Sequence, residues 1–284
     1  MSNDQTTPLG RMLESGAGAL GIAAGATAGL LLGGPIGAVA GAAGGALLQD
    51  GMKAVAGDVA TRFTAETEQE RMGSLYLLAQ EQIAERLNGG QTLRSEKFFK
   101  QRDRKKGKKL RSEADELLEG TFLAARQAYE ERKVALLANF YTNIVFRDDI
   151  DSGHANYILS LMESLTYRQL ITIFIIGNRQ QTAGPLSLVR DKDFRGGEAL
   201  DSLQIGVLYE LFQLAKLDLV VDANSGYILG VADIKPSSLQ LQGTGAQLYN
   251  LMIPMTLDFD EYGYFINAFK PDFLTQQAAQ SPNR

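Results

Sequence analysis

The sequence predicts a mainly α-helical protein with a helical hairpin at its N-terminus and a small α+β part at its C-terminus. An uncharged, glycine-rich run covers residues 16–49, apolar residues recur every three or four positions through the middle of the chain, and short alternating segments follow residue 217. Spacings of three and four are typical of one helix face, whereas alternation is typical of strands. We therefore expect a hairpin over residues 1–51, a helical domain over 52–200 and an α+β domain over 201–284.

Glycine recurs at every fourth position through the N-terminal run. The seven positions of this glycine register are Gly21, Gly25, Gly29, Gly33, Gly37, Gly41 and Gly45. On a helix this spacing makes one face of glycine, against which a second helix packs until the two backbones nearly touch. A flexible linker needs no such register. We therefore predict helices that associate through their glycine faces, since tight packing in lipid offsets the roughly 0.5–1 kcal/mol that each helical glycine costs.

Pro35 interrupts the run after two glycines, and proline disfavours helix at its own position and at the residue before it. A single helix across the run would be roughly 50 Å long, whereas a hydrocarbon core is about 30 Å thick. We therefore predict two short helices, at residues 16–32 and 36–49, that form a membrane-active hairpin. Because its apolar content is modest, we expect the hairpin to wait in a protected form and to insert when triggered or oligomerised. A soluble packing element and a low-complexity segment without fixed structure are the alternatives.

Composition indicates the cellular compartment of the protein and excludes several kinds of chemistry. The chain has 284 residues, a net charge of −5 and no cysteine. The net charge gives no overall attraction to nucleic acid or anionic lipid, and the absence of cysteine excludes disulfides, thiolate metal sites and cysteine catalysis. Residues 1–15 lack the basic start of a secretory signal. We expect a protein of the cytoplasm or of the bacterial inner membrane, with its body on the cytoplasmic side.

A basic segment spans residues 94–111, where ten lysine and arginine residues face only Glu96 and Asp103. Such a segment binds anionic lipid headgroups or nucleic acid, or it is a solvated charged loop. The neighbouring glycine register favours lipid over nucleic acid. The predicted contact residues are Lys97, Lys100, Arg102, Arg104, Lys105, Lys106, Lys108, Lys109 and Arg111.

Apolar residues recur at helical spacing both before and after the basic segment. We expect helix from residue 53 to 87, ended by Asn88 and two glycines, and one long helix from Ser112 to Phe146 with Ser112 as its N-cap. Two shorter helices are predicted at residues 154–163 and 166–176, the second as a buried helix or strand. The acidic turn between them and the long helix lacks the closing glutamate of a calcium loop, so a capped turn is favoured.

The C-terminal part predicts a helix at 201–217, strands at 218–221, 227–231 and 238–241, and a helix at 245–252. This order is winged-helix-like. Nucleic-acid readers of this kind carry a basic recognition helix, but helix 201–217 has Lys216 alone as a basic residue. A partner-binding wing is therefore favoured over a DNA reader. In the tail, the alternation in YGYFINAF (262–269) predicts one more strand.

Two stretches resemble the Abi-alpha-like group of bacterial abortive-infection proteins. One is residues 133–173, where a helix bearing Leu137, Asn139 and Phe140 leads through an acidic turn into ILSLMESLT. The other is LYELFQLAKLDLVV (208–221) with LQLQGTGAQLYNLM (239–252), in which Gln242 replaces the threonine expected after the strand. The glycine register separately resembles glycine-zipper membrane segments. The first resemblance implies a phage-defence protein whose activation halts or kills the infected cell.

No enzyme motif accompanies these features. The sequence contains no phosphate-binding loop of the G-x-x-x-x-G-K-[ST] type, no H-E-x-x-H and no G-x-S-x-G. We therefore predict no catalytic residues, no cofactor and no metal. We expect a membrane-acting effector that oligomerises through its hairpin and permeabilises the inner membrane. Its expected partners are itself, membrane lipids and a phage-derived or cellular protein trigger. The alternative is a membrane-tethered or cytosolic winged-helix module that binds a protein partner or, ranked lower, nucleic acid.

Overall fold

A computed structural model describes residues 43–60, 62, 65–103, 109–179, 194, 199–255, 257 and 259–269. These residues are mainly helical, as predicted, with two small antiparallel strand pairs. The backbone divides between Ser164 and Leu165 into two compact units. The domain boundaries predicted after residues 51 and 200 stay predictions.

Five helices make up the described part of the first unit. They are α1 (Ala43–Ala60), α2 (Glu66–Asn88), α3 (Glu113–Gln127), α4 (Lys133–Ile144) and α5 (Ser152–Ser164). A short antiparallel pair, β1 (Arg102–Asp103) and β2 (Lys109–Leu110), stands between α2 and α3, with Arg102 opposite Leu110.

Helix α1 begins inside the glycine-rich run and continues without a break to Ala60. The helix predicted from residue 53 to 87 is therefore two helices, because α1 ends at Ala60 and α2 begins at Glu66 after Ala65, whose ψ of 134° is extended. The stop predicted at Asn88 and the two glycines after it is confirmed. Helix α2 ends at Asn88, Gly89 N donates to Glu85 O at 2.9 Å, and Gly90 adopts a φ of +83°, which glycine accepts without a steric cost.

The long helix predicted from Ser112 to Phe146 is also two helices, α3 and α4. Its start is confirmed: the Ser112 hydroxyl accepts from Asp115 N, and the Asp115 carboxylate accepts from Ser112 N, each at 3.1 Å. This capping box satisfies two backbone donors at the helix N-terminus. The break follows Gln127, where Ala128 turns to an extended ψ of 121° and Tyr129 is fully exposed.

Helix α4 lies at the centre of the first unit, because all twelve of its residues are buried. It runs parallel to α2: Gln82 Nε2 donates to Asn139 Oδ1 at 2.6 Å, and Arg86 Nη2 donates to Asn143 Oδ1 at 2.8 Å, four residues further along both helices. Burial lowers the pKa of Arg86. These polar pairs fix the register of the two helices.

The second unit contains four helices among its described residues and one strand pair. They are α6 (Tyr167–Arg179), α7 (Ser202–Lys216), β3 (Val220–Asp222), β4 (Leu239–Leu241), α8 (Gly243–Met252) and α9 (Phe259–Phe269). Helix α7 begins at the predicted position, where Asp201 and Gln204 form a capping box. The strand predicted in the tail is wrong, since residues 259–269 are helical and bury Phe265, Ile266 and Phe269 on one face.

The predicted C-terminal strands are confirmed at two of three places. Strands β3 and β4 pair antiparallel, with Val221 opposite Gln240. The strand predicted at 227–231 is absent from this described stretch, where a 3-10 turn at Val231–Asp233 follows instead. Helix α8 then packs closely on the chain directly before β3, since a Cβ built at Gly245 would stand 2.1 Å from Leu219 O.

Candidate functional site: the junction between the glycine-rich run and the first helical unit

The structure describes one position of the predicted glycine register. Gly45 lies in the first turn of α1. The other predicted positions lie outside the described residues: Gly21, Gly25, Gly29, Gly33, Gly37, Gly41 and Pro35. Gly45 precedes Leu48 by three residues and Met52 by seven, which puts the three positions on one face of the helix. The face that carries the last glycine of the register is therefore the face that enters the core.

Helix α1 is held to the unit by an apolar stripe. Leu48, Met52, Val55 and Val59 are each at most 2% exposed. Their spacing of three and four residues is that of a single helix face. Burying a side chain of this size contributes about 1.5–3 kcal/mol, so the stripe anchors the end of the glycine-rich run firmly. The main neighbour of α1 is α3.

One glycine allows a close approach between α1 and α3. A Cβ built at Gly51 would stand 2.4 Å from Asp115 Oδ1 and 3.5 Å from Asp115 Cγ. Asp115 is the carboxylate of the capping box that starts α3. The absence of a side chain at Gly51 therefore lets α1 pass directly beside the first turn of α3.

Four charged side chains form a closed ring at the other end of α1. Arg62 pairs with Asp58 and with Glu119, the latter at 2.6 Å between Nη1 and Oε1. Arg111 pairs with the same two carboxylates, Asp58 and Glu119. We call these four residues the ion-pair ring. It joins α1, the last residue of the basic segment and the middle of α3.

The predicted contact residues of the basic segment fall into four groups. Lys97 and Lys100 are exposed, and Lys100 Nζ lies 2.7 Å from the Glu96 carboxylate. Arg111 belongs to the ion-pair ring. Arg102 and Lys109 lie in the paired strands β1 and β2. The remaining four lie outside the described residues: Arg104, Lys105, Lys106 and Lys108.

The start of the basic segment is part of the core. Phe98 and Phe99 are buried, and the Arg94 guanidinium stands over the Phe98 ring at 4.1 Å from its centroid. Arg94 N donates to Val145 O at 2.9 Å, which ties the segment to the end of α4. Burial lowers the pKa of Arg94, and nearby carboxylates, Asp148 first among them, oppose that shift. Arg94 is therefore a structural residue here.

Asp58, Arg62 and Glu119 were not among the predicted contact residues. The spacing of Asp58 and Arg62 is that of a helical i,i+4 pair, and the helix predicted over residues 53–87 already contained both positions. Glu119 carries no such signal, because its contact with Arg62 joins positions 57 residues apart. The pairing of Arg111 with both carboxylates is likewise set by tertiary structure.

Within the described ranges, no group of three or more histidine or acidic side chains is placed to hold a metal ion. No single helix in those ranges is long and apolar enough to cross a bilayer; α5 with α6 up to Asn178 meets the criteria of length and composition only as a bent pair. Comparison with family models, curated proteins and solved structures finds no significant match to this chain.

Proposed function

We propose that this chain is a membrane-acting effector whose N-terminal segments associate through their glycine faces and permeabilise a bacterial inner membrane. The observation that carries the proposal is the seven-glycine register in an uncharged run, at an unbroken spacing of four. Small residues at this spacing let helices pack closely in lipid, where association depends on close packing rather than on the hydrophobic effect.

The docking of α1 supports a resting form that differs from the inserted one. The second arm of the proposed hairpin ends at residue 49, but Leu48 is already buried in the first unit. Full insertion of both arms therefore requires α1 to give up contacts at its N-terminal end. Such a cost keeps the segment docked until a trigger or a second copy supplies compensating contacts.

Replacement of two register glycines tests the proposal. We expect Gly29→Leu with Gly37→Leu to abolish dye release from vesicles of phosphatidylethanolamine and phosphatidylglycerol, because leucine holds neighbouring backbones apart. The matched control is Gly57→Leu, a glycine of α1 outside the register whose added Cβ meets nothing within 4 Å. Dye release that survives the double replacement would reject self-association through the glycine faces.

The cellular role that we propose is abortive infection, and its support is the resemblance of residues 133–173, 208–221 and 239–252. On this proposal a phage-derived or cellular protein trigger activates the effector, which then arrests the host. Induced expression should stop growth and depolarise the inner membrane, and deletion of residues 16–42 should remove both effects while the helical units stay folded. Phage plaque counts with and without this deletion measure protection directly.

A winged-helix module that binds a partner is the second candidate, supported by the order α7, β3, turn, β4. The charge on α7 argues against nucleic acid, since the helix has one basic residue, Lys216, and two acidic residues, Glu210 and the N-cap Asp201. Exposed Ile205 and Tyr209, one turn apart on α7, are better suited to a protein partner. Salt-dependent binding of duplex DNA, lost when Lys105, Lys106, Lys108 and Lys109 are neutralised, would favour this module instead.

A further inference from the structure

The ion-pair ring takes one arginine and one carboxylate from each of two parts of the first unit. Asp58 and Arg62 come from α1 and the turn that follows it, whereas Arg111 and Glu119 come from the end of the basic segment and from α3, which we together call the body. Two of the four pairs are local to one side, Asp58 with Arg62 and Arg111 with Glu119. The other two, Arg62 with Glu119 and Arg111 with Asp58, join α1 to the body.

Solvent reaches all four side chains. Their exposed fractions run from 20% for Glu119 to 48% for Arg62. Ion pairs in such positions contribute little to stability, and the buried stripe of α1 is the stronger anchor. A local partner remains on each side if the two joining pairs separate, so separation leaves neither arginine without a carboxylate. The ring is therefore easy to open, whereas a contact that served only to stabilise the fold would not need to open.

The ring joins the two segments that the sequence predicts to contact a membrane, the glycine-rich run and the basic segment. Arg62 follows the helix that continues from the glycine-rich run, and Arg111 is the last residue of the basic segment. Each guanidinium has five N–H donors in a planar fork that matches carboxylate and phosphate alike. In the ring the carboxylates occupy the atoms that phosphate oxygens would otherwise contact.

We propose that Asp58 and Glu119 mask a two-arginine site, Arg62 and Arg111, for the phosphate groups of anionic lipids. At an anionic surface, lipid phosphates replace the two carboxylates that join α1 to the body, and the end of α1 is released. This inference deepens the proposed function, on which it rests, by naming the regulation of its resting form.

Two matched double variants test the mask, because both break the ring but only one leaves the cations. Asp58→Asn with Glu119→Gln keeps Arg62 and Arg111, whereas Arg62→Gln with Arg111→Gln removes them. We expect the first variant to float with phosphatidylcholine vesicles that contain phosphatidylglycerol on the order of thirtyfold better than the unaltered chain, at about fivefold for each of the two freed arginines. The second variant should bind no better than the unaltered chain, and neither should gain binding to pure phosphatidylcholine.

Equal gains by both variants would overturn the inference, since loosening of the fold would then explain them. So would no gain by the first variant, with thermal unfolding used to show that both variants fold. A gain for duplex DNA in place of vesicles, or a gain that inorganic phosphate abolishes at constant ionic strength, would overturn the assignment to lipid. If the first variant gains flotation but no variant releases dye, the mask stands and the proposed permeabilisation fails.

Discussion

Gly51 and Asp115 lie so close together that no methyl group fits between them: a Cβ at Gly51 would stand 2.4 Å from Asp115 Oδ1. The contact lies between α1 and the capping box of α3. It makes the N-terminal end of one helix depend on the smallest possible residue in the other.

Gly51→Ala should destabilise the first unit. The added methyl displaces the Asp115 carboxylate from Ser112 N, which costs about 1–2 kcal/mol in the free energy of unfolding, the size of a lost helix cap. The helix propensity of alanine offsets up to about 1 kcal/mol of this cost. Gly57→Ala is the control in the same helix, where the new methyl meets nothing within 4 Å and helix propensity should add up to about 1 kcal/mol. Urea unfolding followed by circular dichroism compares the two, and equal stabilities would contradict the packing argument.

Two buried threonines should respond oppositely to valine. Thr142 and Thr121 are both fully buried, but Thr121 Oγ1 donates to Leu117 O at 2.7 Å whereas Thr142 Oγ1 has no hydrogen-bond partner among the described residues. We expect Thr142→Val to stabilise by about 1 kcal/mol, because a buried hydroxyl without a partner is costly. Thr121→Val should destabilise by about 1 kcal/mol. A drop in melting temperature for Thr142→Val would show that water satisfies this hydroxyl.

In the second unit, Gly177→Ala should be strongly destabilising. A Cβ at this position of α6 would stand 2.4–2.7 Å from three atoms of the Tyr249 ring, which also donates through its hydroxyl to Asn178 Oδ1 at 2.8 Å. Overpacking of this kind costs about 1–3 kcal/mol. Gly206→Ala, in the interior of α7 with its nearest atom 3.7 Å away, should be neutral or stabilising. Thermal unfolding of the two variants measures the contrast.

Acid should weaken the second unit through Asp222. Its carboxylate is buried, which raises the pKa, but hydrogen bonds from Ser238, Ser225 and Asn224 outweigh burial and leave the pKa below its ordinary value. The unfolded chain therefore takes up the proton first. The stability that Asp222 contributes is complete above the ordinary carboxyl pKa and is lost as the pH falls through the lowered one.

Asp222→Asn should remove this part of the pH dependence, because an amide does not titrate. Unfolding free energies measured across the acid range should fall less steeply for the variant than for the unaltered chain. Asp218→Asn is the control, since Asp218 precedes the same strand but is exposed. Parallel curves for Asp222→Asn and the unaltered chain would show that another group dominates acid unfolding.

Local sequence signals predicted the ends of several helices correctly. Ser112 was recognisable as an N-cap because its side-chain oxygen satisfies a donor only a few residues away, and the start of α7 after Asp201 was recognisable from the helical spacing of apolar residues. The stop after Asn88 was recognisable because glycine tolerates a positive φ. These features depend on neighbours in the chain, so they can be predicted without knowledge of the fold.

Other features depend on distant parts of the chain and were not predictable in this way. Residues 128–132 contain no glycine or proline, yet the chain leaves the helix there, so tertiary packing overrides a favourable helix propensity. The segment 262–269 is apolar at nearly every position and therefore matches both the strand period and the helix period. Burial of Phe265, Ile266 and Phe269 in the second unit selects the helix.

The unbroken course of α1 has a mechanical consequence. An α-helix of 18 residues is a stiff rod roughly 27 Å long, and its two ends cannot turn independently. A movement of the whole helix therefore displaces Asp58 together with the N-terminal end. A displacement of the N-terminal end of α1 would therefore also strain an electrostatic contact near its far end.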